Sequence, residues 1–69
     1  MPHITIQMIP GRTYDEKEEM AYGVRQFLSK TYGIDEQVIS VSIEEVPREQ
    51  WSTVMAEVPN DTLIVKPGY

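Results

Sequence analysis

With 69 residues and no cysteine, the chain makes a single domain, 1–69, that has no disulfide staples and is short enough to need partners to complete its core. Its formal charge of −5, six Lys+Arg against eleven Asp+Glu, excludes nucleic acid and acidic membrane surfaces as general partners, so an anionic ligand has to be held locally by a few arginines. No apolar run approaches the ~20 residues of a membrane helix, and no basic and apolar leader opens the chain, which together predict a soluble cytoplasmic protein.

Residues 2–9 alternate, with Ile4, Ile6 and Met8 set against His3, Thr5, Gln7 and Ile9, the period of two expected of a strand. Pro2 at its mouth reads as a strand starter that needs no N–H, and equally as a secondary amine on a stiff ring once Met1 is removed. Pro10-Gly11 ends the strand. Thr13-Tyr14-Asp15-Glu16 is a capping box, the acidic run Asp15, Glu16, Glu18, Glu19 suits a helix N-terminus, and Gly33 suits the left-handed residue past the C-terminus. Met20, Val24, Phe27, Leu28 and Thr31 fall on one stripe, so a helix is expected over 14–32.

Residues 38–46 are rich in β-branched side chains, Ile39, Val41 and Ile43 facing opposite to Ser40, Ser42 and Glu44, and form the second strand. Strand, long helix and strand make a βαβ unit with parallel strands and a right-handed crossover; the helix would span roughly 28 Å and the first strand about 26 Å, which match. The tail carries Trp51, a turn signal at Pro59-Asn60-Asp61 and the apolar run Leu63-Ile64-Val65, read as a short C-terminal hairpin or edge strand. One helix covers one face of two strands. Ile9 and Val46 on the open side, with Tyr22 and Trp51, are then left for a partner to cover, and a homo-oligomer, a dimer or a multiple of dimers, is expected.

The usual catalytic sets are missing. His3 is the single histidine and there is no cysteine, so a zinc site or a Cys/His or Ser/His/Asp arrangement cannot be built in one chain, and no glycine-rich phosphate loop is present. Pro2, a few arginines and aromatic surface remain. His3, Tyr22 and Tyr32 read as strand decoration and packing.

The start Met-Pro, the alternating strand, Gly11-Arg12-Thr13 leading into an acidic capped helix, and a second strand closing in Glu44-Glu45-Val46 resemble the 4-oxalocrotonate tautomerase family. Trp51 falls where that family carries a Phe or Trp, and the ending Lys66-Pro67-Gly68-Tyr69 is similar to a subgroup of small bacterial tautomerases. The resemblance implies a tautomerase-type, MIF-like α/β fold completed by oligomerisation. It implies a cofactor-free and metal-free isomerase of small 2-keto acids, with the Pro2 amine as general base or acid, Arg12 gripping a carboxylate and Trp51 lining the pocket. Pro2 and Arg12 stand at opposite ends of the first strand, about 26 Å or more apart at ~3.3 Å per residue, so Arg12 has to come from a second copy.

Ser40 occupies the place where the namesake enzyme carries a second arginine. A serine offers one hydrogen bond and no charge, which favours a monocarboxylate substrate over a diacid unless Arg48 in the following turn compensates. The alternatives are hydrolytic dehalogenation or decarboxylation on the same scaffold, and a non-catalytic oligomeric binding module.

Overall fold

The computed structural model describes residues 1–68. Strand β1, His3–Met8, is followed by helix α1, Tyr14–Tyr32, and strand β2, Ser40–Glu45, which pairs with β1 in parallel. The register sets His3 beside Ser40, Thr5 beside Ser42, Gln7 beside Glu44 and Met8 beside Glu45. At the two ends the ladder is extended by Ser40 N–H donating to the Pro2 carbonyl at 3.2 Å and Val46 N–H to the Met8 carbonyl at 2.8 Å. This is the βαβ unit expected from the periodicity.

The first turn of α1 is fixed by a reciprocal pair: Glu16 N–H donates to Thr13 Oγ1 at 3.1 Å, and Thr13 N–H donates to Glu16 Oε1 at 2.9 Å. Gly33 ends the helix in the left-handed region at φ 69°, its N–H bonded to the Ser29 carbonyl at 2.9 Å. Met20, Val24 and Leu28 of the expected stripe are half-buried, whereas Thr31 and Phe27 are exposed, Phe27 meeting Tyr32 edge to face. The helix lies over the Ile4, Met8, Val41 and Ile43 side of the sheet, and Lys17 Nζ reaches Glu45 Oε1 at 3.4 Å.

Three expectations are corrected. Both strands are shorter than 2–9 and 38–46; Glu36–Val38 instead forms a 3-10 turn, because Asp35 Oδ1 accepts the Gln37 N–H at 3.0 Å and bends the chain before pairing begins. Among the described residues the tail forms no hairpin or edge strand. Beyond Pro47 the chain makes a 3-10 turn, Arg48–Gln50, helix α2, Trp51–Ala56, and another turn, Asn60–Thr62, held by Thr62 Oγ1 donating to the Pro59 carbonyl at 2.7 Å. Leu63-Ile64-Val65 comes next, with Ile64 and Val65 exposed, since an extended segment becomes a strand only where another backbone receives its N–H and C=O groups. Tyr69 lies outside the described residues.

The third correction concerns the open side of the sheet. Val46 is buried, at 7% exposure, rather than uncovered. Its N–H closes the ladder on Met8, and the chain leaves the strand at Pro47 into the next turn. The open face itself is polar: His3, Thr5, Ser40 and Ser42 are hydrogen-bonded across the strands, and Gln7 Nε2 donates to Glu44 Oε2 at 3.3 Å.

The chain buries little by itself. Ile39 and Val46, just before and just after β2, are the buried apolar residues, while Tyr22 and Ile64 stay exposed. The radius of gyration of 13.6 Å exceeds the about 11 Å of a compact chain of this length. The accessible surface of 5667 Å² exceeds by about 1,250 Å² that of a folded monomer of this mass. No described helix is long and apolar enough to cross a membrane.

Candidate active site

Pro2 is half-buried at the start of β1, and its carbonyl receives the Ser40 N–H, so the strand register brings the Pro2 backbone and the first residue of β2 together. Ser40 Oγ lies 2.6 Å from His3 Nδ1, and His3 Nε2 lies 3.0 Å from Ser42 Oγ. His3, read from the sequence as decoration, is thus tied to Ser40. Sequence alone offers no signal for this, because it depends on which residue of β2 stands opposite His3.

Arg12 belongs to the other end of the strand pair. It comes after the φ 140° glycine, Gly11, that turns the chain from β1 into α1, and it pairs with Glu16 through Nη1 and Oε2 at 3.4 Å. Both partners are about half exposed, at 60% and 50%, so the pair contributes little to stability and leaves the guanidinium free to exchange partners. The Glu16 carboxyl is held below its ordinary range, first by the Thr13 backbone N–H, which together with the weaker pull of the Arg12 charge outweighs the opposing effect of desolvation.

Arg48 and Trp51 come after β2 and so lie beyond the same end as Arg12. Arg48 is exposed in the 3-10 turn that leads into α2, and Trp51, half-buried, opens that helix. The five sequence candidates therefore fall into two groups separated by the length of the strands: Pro2 with Ser40, and Arg12 with Arg48 and Trp51. Two open grooves flank α1. One, of about 410 Å³, lies along β2 and includes Ser40 with Tyr14, Tyr22 and Arg25; the other, of about 740 Å³, lies along β1 with Arg12 beside Met8. Pro2 and Trp51 line neither groove.

Pro2 meets Ser40 through the backbone at one end of the strand pair, and a guanidinium and an indole lie beyond the other. Residues 2–55 match the family model described as tautomerase enzyme. Among curated relatives, a probable tautomerase of Xylella fastidiosa (strain 9a5c) is 30% identical over all of this chain and 89% of its own length. The tautomerase PptA of Cronobacter sakazakii (strain ATCC BAA-894) is 34% identical over 100% of this chain and 97% of its own. A 2-hydroxymuconate tautomerase of Bacillus subtilis (strain 168) is 33% identical over 75% of this chain and 84% of its own. In three dimensions the chain is similar to the crystal structure of YwhB, a homologue of 4-oxalocrotonate tautomerase, at a TM-score of 0.65 and 34% identity, covering 68% of this chain and 77% of that one.

Proposed function

The chain belongs to the tautomerase family and is a tautomerase-type isomerase, and from that premise we propose that it interconverts the enol and keto forms of small 2-keto acids with the Pro2 amine as general base and acid. Removal of Met1 frees that amine. Unprotonated, it takes the hydroxyl proton of the enol and returns a proton to the neighbouring carbon as the C=O bond forms, so the proton is carried and no cofactor is needed. A secondary amine would be expected to titrate above the ~7.7 to 8.0 of an ordinary α-amino group, so an apolar, cation-lined pocket has to favour its neutral form.

The observation that carries this reading is the separation of the candidates into two ends. A copy whose strands run in the opposite sense would set its Arg12, with Trp51 and Arg48, beside the first copy's Pro2 and Ser40, giving two shared sites per dimer. The excess surface supports the same assembly, since about 1,250 Å² per chain is within the range that stable homodimers bury. We place the protein in the cytoplasm as a single-domain homo-oligomer, a dimer or a multiple of dimers.

With Ser40 in the second binding position, the substrate class is a monocarboxylate such as an aryl-substituted enolpyruvate. The Bacillus subtilis relative is named for a diacid, 2-hydroxymuconate, so the two substrates make a direct comparison. Phenylenolpyruvate should show the higher kcat/KM here; a ~10-fold preference for the diacid, about 1.4 kcal/mol in the transition state, would assign Arg48 the missing charge. The decisive test is the amine. Protein verified by mass to retain Met1 should lose about 10²- to 10⁴-fold in kcat/KM, the usual worth of a general base, and full activity in that capped form would remove Pro2 from the mechanism.

A further inference from the structure

On the open face of the sheet, an imidazole and three hydroxyls form a hydrogen-bonded run that the Pro2 chemistry does not use. Ser40 Oγ lies 2.6 Å from His3 Nδ1, His3 Nε2 lies 3.0 Å from Ser42 Oγ, and the Ser42 hydroxyl donates to Thr5 Oγ1 at 3.4 Å. The direction of the last contact would order the others: with the Ser42 proton on Thr5, Ser42 accepts from His3 and Nε2 carries the ring hydrogen, the arrangement adopted in the proposal below. A neutral imidazole has one N–H. Nδ1 is therefore bare, and Ser40 donates its proton to it. The separations agree, 3.0 Å being usual for N–H···O and 2.6 Å falling in the shorter range of hydroxyl donors.

Ser40 in this state has no proton left for a ligand. Its outward lone pairs repel a carboxylate, which is the reverse of what a binding residue at that position needs. A second proton on the imidazole inverts the arrangement: Nδ1–H donates to Ser40 Oγ, the hydroxyl proton is released outward, and a positive charge stands directly behind it. An imidazole, which can hold one ring proton or two, is the side chain suited to such an inversion.

We propose that His3 is a positioning residue that sets the hydrogen-bonding sense of Ser40, the neutral ring holding it as an acceptor and the imidazolium turning it into a donor toward the carboxylate or keto oxygen of the substrate. The inference rests on the reading of Ser40 as a substrate contact. The groups facing His3 from β1 and β2 are neutral, Thr5, Ser40 and Ser42. Glu44, further along the same face, is bonded to Gln7, four residues and about 13 Å from His3. Asp35 precedes β2 with its carboxylate on the Gln37 N–H, Lys17, Glu18 and Arg25 of α1 line the groove that Ser40 also borders, and the Pro2 amine adjoins His3 in sequence.

Because His3 is the single histidine, long-range proton–nitrogen NMR of the intact assembly with a free N-terminus reads its ring without ambiguity. The expected result is the Nε2–H tautomer at pH 8. Saturation with 3-phenylpropionate, an unreactive monocarboxylate, should raise the imidazole titration midpoint by about half to one pH unit, because a ligand that prefers the imidazolium favours its formation. Ser40→Ala should lose most of that rise. In kinetics, KM for phenylenolpyruvate should increase ~3- to 10-fold from pH 5.5 to 8, the ratio implied by the same linkage, and become flat in His3→Phe and Ser40→Ala proteins of unchanged fold and assembly. An Nδ1–H tautomer, an unmoved midpoint in the native protein, or an equal rise in Ser40→Ala overturns the proposal, and the first two need no variant to fold. Failure of the Pro2 chemistry reads out separately, as activity in the Met1-capped enzyme.

Discussion

The two ends of the parallel strand pair differ in kind. At the start of β1 and β2 the candidate groups are close-set and tied by hydrogen bonds: Ser40 N–H on the Pro2 carbonyl, and Ser40 and Ser42 on the two nitrogens of His3. At the other end Arg12 and Arg48 are exposed on turns, with Trp51 half-buried at the head of a short helix. A parallel pair keeps the starts of its strands together and carries the turns after both strands to the far side, so one end is ordered by the sheet and the other by connections. On the proposed reading, the ordered end holds the proton-transfer group in position and the looser end carries the groups that reach a neighbouring copy.

The strongest way to break this comparison is to divide the ends between different chains. Met1-capped subunits keep Arg12 but lack a free amine, and Arg12→Ala subunits keep the amine but lack the guanidinium. Mixed and reassembled 1:1, with substrate well below KM, they should recover about one quarter of the native activity, because half of the dimers are hybrid and each hybrid has one complete site. Activity that never rises above the sum of the separate variants would place Arg12 and Pro2 in the same subunit's site or Arg12 outside it.

A smaller effect compares the anchors of the two ends. Ile39 and Val46 flank β2, one at each end, and are the buried apolar residues. Ile39→Ala should lower stability by about 2 to 4 kcal/mol in denaturant unfolding, through lost burial and a residual cavity. Val46→Ala removes less and should cost about half as much. Activity per folded assembly should fall more for Ile39→Ala, whose position adjoins Ser40. The reverse order would mean that the Arg12 end, not the Pro2 end, is the more tightly ordered.

The smallest effects concern the capping box. Thr13→Ala should cost about 1 kcal/mol in denaturant unfolding and leave KM nearly unchanged, since the Glu16 N–H loses its Oγ1 acceptor while the backbone N–H of residue 13 still holds the Glu16 carboxylate. The Glu16 carboxyl titrates below its ordinary range when folded, so its contribution is present at neutral pH and is lost as pH falls through the folded value, below about 4.5. Thermal unfolding monitored from pH 6 to pH 3 should decline less steeply in Glu16→Gln than in the native chain. Equal slopes would remove Glu16 from the acid sensitivity.

What the sequence determined by itself was local. The alternation around Ile4, Ile6 and Met8 sets a strand, Thr13 with Glu16 sets a helix start, and Gly33 sets its end, because each signal is completed by residues within a few positions of it. The lengths of these elements were enough to show that Pro2 and Arg12 stand at opposite ends of β1. The tertiary structure decided the rest. That His3 faces Ser40 and Ser42 depends on the register of two strands 37 residues apart in the chain, and a slip of one residue would turn those side chains to the other face. The burial of Val46, which alternation alone would leave on the open face, is likewise a tertiary outcome. Leu63-Ile64-Val65, whose composition favours a strand, stays unpaired because strand formation needs a second backbone, and no residue within the segment can supply it.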